Sequence, residues 1–124
     1  MSDLSARRDT AEVIVVAHGS RATPANQAHL DLCAELAQRS DSAVHPAFLE
    51  LAEPSLAETL DTVARVTNSV VVLPHFLLPG NHTQRDIPEL IAAAREANPD
   101  VEFVQLAHVG ASPAMIGLVL ELLP

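Results

Sequence analysis

The sequence predicts an α/β fold: an open four-stranded parallel sheet in the order 2-1-3-4, with helices on both faces. Three observations predict it. From Val13 onward, short apolar runs alternate four times with amphipathic stretches, the signature of repeated strand-helix units. The runs are β-branched and nearly continuous in apolar character, as strands covered on both faces must be. Hydrophobic residues make up 48% of the chain and aromatic ones 2%, so the core has to be aliphatic packing between regular elements.

The first strand is read over residues 13–17 and ends at His18-Gly19-Ser20-Arg21. Thr23 as N-cap and Pro24 at the first helical position open a helix ending near Ser40, with Ala28, Leu32 and Leu36 as its apolar stripe. A second strand over residues 44–49 leads to Glu50. Pro54 then starts a helix whose inner face is Leu56, Leu60, Val63 and Ala64, a helical spacing. The third strand, residues 69–73, is the most uniformly β-branched and belongs at the sheet centre. Two prolines and a glycine keep residues 74–81 out of regular helix. Helix resumes between Thr83 and Pro88, with Ile87, Leu90, Ile91 and Ala94 facing inward. The fourth strand, residues 101–106, carries Glu102 and Gln105 and reads as an edge strand. Ser112 and Pro113 cap a last helix expected to bury Ile116, Val119, Leu120 and Leu123. The segments Ala17-His18-Gly19 and Ala107-His108-Val109-Gly110 are faintly alike at two strand ends but too short to establish a repeat.

A chain of 124 residues fits one domain, taken as residues 11–124, behind a flexible N-terminal tail over residues 1–10. Any second half of a larger site must then come from another chain. The net charge is −9, and the seven basic residues are arginines scattered without a basic run, which argues against nucleic acid as partner. No apolar stretch reaches the length of a membrane span, so no membrane is expected. Cys33 is the lone cysteine, without a disulfide or zinc partner, which suits a cytoplasmic setting and a plain packing role. No phosphate-binding glycine loop is present, and no organic cofactor is indicated.

Parallel strands joined by right-handed crossovers put their carboxyl ends on one rim, where open α/β sheets bind ligands. The polar residues collect on that rim: His18 after the first strand, Glu50 after the second, His75 and His82 after the third, and His108 after the fourth. In the order 2-1-3-4, His18 lies between Glu50 and the third loop. Two imidazoles and a carboxylate suit a borderline divalent ion such as Co²⁺, Fe²⁺, Ni²⁺ or Zn²⁺. Such residues, scattered in sequence, fit an acid/base site equally well. His29 and His45 read as solvated polar residues, without a part in the site.

The segments Val13 through Arg21, Ala47-Phe48-Leu49-Glu50 with Pro54-Ser55-Leu56, and above all Pro74 through Pro88 resemble the CbiX/SirB class of sirohydrochlorin chelatases. The resemblance runs from Val13 to about Leu122. It implies a chelatase-like α/β fold, insertion of Co²⁺ or Fe²⁺ into sirohydrochlorin for cobalamin or siroheme synthesis, and a homodimer, as in short one-domain forms. By motif match it makes His18 and His82 the paired active-site histidines and Glu50 their acidic partner, for both metal binding and catalysis. His75 departs from the pattern, which has a less polar residue there. Either histidine can serve as base or ligand, and His and Glu accept cobalt, iron and nickel alike. Sirohydrochlorin carries many carboxylates, so Arg21 and Arg85, each three residues beyond an active-site histidine, are the expected partners. Phe76, with Leu77 and Leu78, can line the face under the macrocycle or belong to the core. Two rival readings are a non-catalytic divalent-metal carrier or sensor and a histidine phosphotransferase. The latter needs Arg immediately before the first His, where this chain has Ala17.

Overall fold

The computed structural model describes residues 11–81 and 85–124. The tail over residues 1–10, and His82, Thr83 and Gln84, lie outside the described residues. The chain runs β1 (Glu12–Ala17), α1 (Thr23–Arg39), β2 (Val44–Phe48), α2 (Leu56–Ala64), β3 (Ser69–Pro74), α3 (Ile87–Ala97), β4 (Glu102–Gln105) and α4 (Ala114–Leu122), with a 3₁₀ turn at Val109–Ala111 before α4. The strands form one parallel sheet in the order β2-β1-β3-β4. β1 and β3 are therefore central, with Val16 opposite Pro74, and β4 is an edge.

Side-chain parity divides the sheet into two faces. On one, Ile14, Val16, Ala47, Val70, Val72 and Phe103 pack against Leu56, Leu60, Val63 and Ala64 of α2 and Ile87 and Ile91 of α3, a continuous buried cluster. Ser55 caps α2 by accepting a hydrogen bond from the Glu58 backbone N–H, and its hydroxyl donates to the Glu58 carboxylate. The opposite face carries Val15 and Phe48 under α1, but Val71 and Leu73 are only half-buried there, and Val104 and Leu106 are exposed.

Two helices differ from the sequence reading, each in its cap and in its buried face. Helix α1 starts at Thr23, with Ala22 at the N-cap and no side-chain cap. The loop is held instead by Asn26, whose Oδ1 accepts from Ser20 N and whose Nδ2 donates to Ser20 O. The buried face of α1 is His29 and Cys33, while Ala28 and Leu32 point outward. Helix α4 has no buried residue: Ile116, Val119, Leu120 and Leu123 are 68%, 44%, 63% and 58% exposed. Its apolar residues surround the helix, so their spacing does not mark one face for the core. Its N-cap is Pro113, and Ser112, one residue before the N-cap, accepts from the Ala114 N–H. Among the described residues, no helix is long and apolar enough to cross a membrane.

Candidate functional site

The carboxyl ends of β1 and β2 are tied backbone to backbone, Leu49 N to Ala17 O and Glu50 N to His18 O. Gly19 makes this closeness possible. Its φ is +95°, and a Cβ there would lie 1.7 Å from the Glu50 carbonyl oxygen, so a side chain would have to displace backbone. The result is an imidazole–carboxylate pair: His18 Nε2 stands 2.9 Å from Glu50 Oε1, with both side chains about half exposed.

The hydrogen bonds define what this pair can hold. His18 Nδ1 lies 3.0 Å from the Gly19 carbonyl, which only accepts, so Nδ1 carries a proton. Nε2 then faces a carboxylate oxygen across a gap that a proton bridges as a hydrogen bond. A divalent ion with about 2.0–2.2 Å to each ligand would bridge the same atoms after a small separation. Beside Glu50 opens a cleft of about 340 Å³ lined by Leu49, Glu50, Asp86, Glu89 and Leu90. Carboxylates on its wall favour the approach of cations.

The other candidate residues distribute around the same rim. Arg21 is exposed between His18 and α1, and Arg85 is exposed in a wide π-type turn that enters α3. Phe76 is half-buried and packs on the core cluster, whereas Leu77 and Leu78 are exposed. Phe76 O accepts from Gly110 N at 2.9 Å, and a Cβ on Gly110 would meet Leu77 O at 1.6 Å. The two similar segments at strand ends thus share a device: a glycine lets each loop lie against the neighbouring loop's backbone. His108, half-buried, leads the 3₁₀ turn. His82 lies outside the described residues, and among those described no group of three or more His, Cys, Asp or Glu is arranged to hold a metal.

Two histidines read as solvated are instead bonded within the fold. His29 is 5% exposed, with Nε2 3.0 Å from Val15 O and its ring edge-on to Phe48. Burial, the largest influence, pulls its pKa below 6.5, and His75 acts in the same direction, partly offset by hydrogen bonding to backbone carbonyls. His45 Nε2 bonds the buried Glu12 carboxylate at 2.7 Å, near the amino ends of the strands and away from the rim. Glu12 escapes a sequence reading because the apolar run begins only at Val13. His29 was missed because helical periodicity counts only apolar side chains. Its i, i+4 spacing from Cys33, opposite strand residues, was the available signal.

The site therefore belongs to the class of open parallel α/β sheets with a polar, cation-compatible cleft at the strand carboxyl ends. Comparison with known proteins gives the family: the CbiX family model matches residues 12–124, and the chain belongs to that family. A sirohydrochlorin cobaltochelatase of Methanopyrus kandleri is 33% identical, over 88% of this chain and 92% of the relative. The chloroplastic sirohydrochlorin ferrochelatase of Arabidopsis thaliana is 32% identical over 90% of this chain. Among solved structures, SirB from Bacillus subtilis subspecies spizizenii in complex with cobalt superposes with TM-score 0.81 at 25% identity, over 90% of this chain and 49% of that one. A CbiX protein from Marinobacter aquaeolei, described as a putative cobalamin biosynthesis protein, gives 0.75 at 26%, over 90% and 92%. The chain spans 50% of the Arabidopsis relative and 32% of a sirohydrochlorin cobaltochelatase from Priestia megaterium.

Proposed function

We propose that the chain is a sirohydrochlorin chelatase, a lyase-class enzyme that inserts Co²⁺ or Fe²⁺, with Ni²⁺ as a third chemically acceptable ion, into the tetrapyrrole for cobalamin or siroheme synthesis. The observation that carries this reading is the His18–Glu50 pair, 2.9 Å apart at the β1–β2 end of the rim, in a member of the CbiX family. Insertion forms metal–nitrogen bonds and releases the protons of two pyrrole N–H groups. The pair suits both halves of that exchange, because the space between Nε2 and Oε1 takes either a proton or the ion. His82, matched to the family motif, is proposed as the facing histidine, binding metal or accepting a pyrrole proton. Arg21 and Arg85 are proposed to hold substrate carboxylates, and Phe76, with the exposed Leu77 and Leu78, to floor the macrocycle.

The working unit is proposed to be a homodimer, with α4 docked on a second copy. Supporting this are an apolar helix that buries nothing in its own domain, and a sheet face left open at Val104 and Leu106. This chain covers 50% of the Arabidopsis relative and 49% of the cobalt-bound SirB chain, so those proteins carry further chain, a part that a second copy is proposed to play here. A cytoplasmic location is proposed from the free, buried thiol of Cys33.

The test is anaerobic incubation with sirohydrochlorin and Co²⁺ or Fe²⁺, followed by absorbance. The wild type should accelerate insertion. His18→Ala should lose about 100-fold or more and Glu50→Gln about 10–100-fold, both remaining folded. Metal binding without accelerated insertion would make the protein a carrier or sensor; a wild-type rate in His18→Ala would reject the assigned site.

A further inference from the structure

Behind the rim lies a second pair of histidines that the proposed reaction does not use. His75 Nδ1 and His29 Nδ1 are 3.4 Å apart. The ring centroids are 5.5 Å apart, farther than the nitrogens by nearly two ring radii, so the two Nδ1 atoms are the facing points of the rings. His29 is buried on α1; His75 is exposed, immediately after β3, with its backbone N–H bonded to Val16 O two residues before His18.

Hydrogen-bond bookkeeping then fixes both tautomers. The Val15 carbonyl can only accept, so His29 Nε2 donates to it. A neutral His29 has one ring proton, so its Nδ1 is bare and must accept. The facing Nδ1 of His75 must therefore carry a proton and donate, through a long hydrogen bond. A neutral His75 with its proton on Nδ1 has a bare Nε2 on the opposite side of an exposed ring. Each step follows from the one before, beginning at a backbone carbonyl inside the sheet.

We infer that His29 is a positioning residue that fixes the tautomer of His75, and so presents His75 Nε2 at the rim as a ligand for a divalent cation entering the site. This rests on the chelatase reading for its purpose, though not for its geometry. Metal-binding histidines owe their orientation and ligand basicity to a partner on the other ring nitrogen. Here the partner is a second imidazole anchored on Val15, in the strand that leads to His18. Open coordination and a single protein ligand suit an ion in transit, which must leave again.

The experiment uses the full chain, labelled with ¹⁵N, and multiple-bond correlation of the imidazole nitrogens above pH 7. Expected are an Nε2–H tautomer for His29 and an Nδ1–H tautomer for His75. Added Zn²⁺, as a diamagnetic probe, should shift the His75 Nε2 resonance. His75→Gln should remove that response while leaving the one at His18. His29→Phe should return His75 to a mixture of tautomers and weaken Zn²⁺ at His75 about 10-fold, a change that mere filling of the core would not cause. If His29→Phe does not fold, the wild-type tautomers and His75→Gln still decide. An Nε2–H tautomer at His75, or a Zn²⁺ response indifferent to His75→Gln, overturns the inference. Correct tautomers and Zn²⁺ at His75 without metal insertion would leave the relay standing and reject the chelatase reading.

Discussion

The two faces of the sheet are built on different terms. The face under α2 and α3 is closed: Leu60, Val63, Ile87 and Ile91 are at most 1% exposed and interlock with Ile14, Val16, Val70 and Val72. The other face is closed only where α1 crosses, and there the contact is partly polar, with His29 and Cys33 against Val15 and Phe48. Beyond α1 it opens at Val104 and Leu106, while α4 holds five exposed large aliphatic side chains, Ile116, Leu118, Val119, Leu120 and Leu122, with Leu123 at its C-cap a sixth. One face stabilises the domain; the other brings His29 and His75 together and leaves apolar surface exposed. The cleft beside Glu50 draws on the closed side as well, through Asp86, Glu89 and Leu90 at the start of α3.

The largest effect that would sharpen this contrast is a cavity in the closed face. Leu60→Ala removes a fully buried side chain from a packed cluster and should cost about 2–5 kcal/mol, read as a lower urea midpoint. Changes on α4 should behave differently. Leu120→Glu alters a residue 63% exposed in the single chain, so the domain should keep its circular dichroism spectrum. What it should lose is self-association: light scattering should give a dimer mass for the wild type and a monomer mass for Leu120→Glu. A monomeric wild type at micromolar concentration would break the comparison, because the open face would then have no second copy to cover it.

How much of this was legible in the sequence follows the same division. The strand order, the inner faces of α2 and α3 and the gathering of His18 and Glu50 on one rim were readable. Each depends on apolar periodicity or on the geometry of parallel crossovers, which are strong signals. The inner face of α1 was not. Ala28, Leu32 and Leu36 form an apolar stripe, but the sheet selected His29 and Cys33, because Val15 O and His75 supply the polar partners that make a buried imidazole tolerable. The exposure of α4 was illegible for another reason. A helix apolar all round buries itself somewhere, and the sequence of one chain does not say against whom. The contact of His18 with Glu50 needed Gly19, whose positive φ and approach to Glu50 O become visible only with the neighbouring strand in place.

The smallest expected effect concerns the polar patch under α1. Burial holds the pKa of His29 below 6.5, with His75 adding to the depression. The groups facing it are Cys33 from its own helix and His75 from the end of β3, with the carbonyls of Val15 and Ala47 from the sheet. Cys33 stays an uncharged thiol throughout the acidic and neutral range, since burial pushes its pKa to about 11. In the unfolded chain His29 takes up a proton as pH falls through 6.5, while the folded domain resists until a lower pH. The unfolded state therefore binds more protons in that window, and stability rises with pH across it. Above 6.5 the contribution is fully present; on acidification it is lost progressively until the folded value is passed. Urea midpoints measured from pH 8 to 5 should fall for the wild type by more than for His29→Phe, the difference setting in below 6.5. The comparison with His29→Phe isolates the α1 side, because the His45–Glu12 pair lies on the closed face and is the same in both proteins. Parallel curves would mean that His29 protonates without cost in the folded domain, and that the α1 face does not hold a neutral imidazole in place.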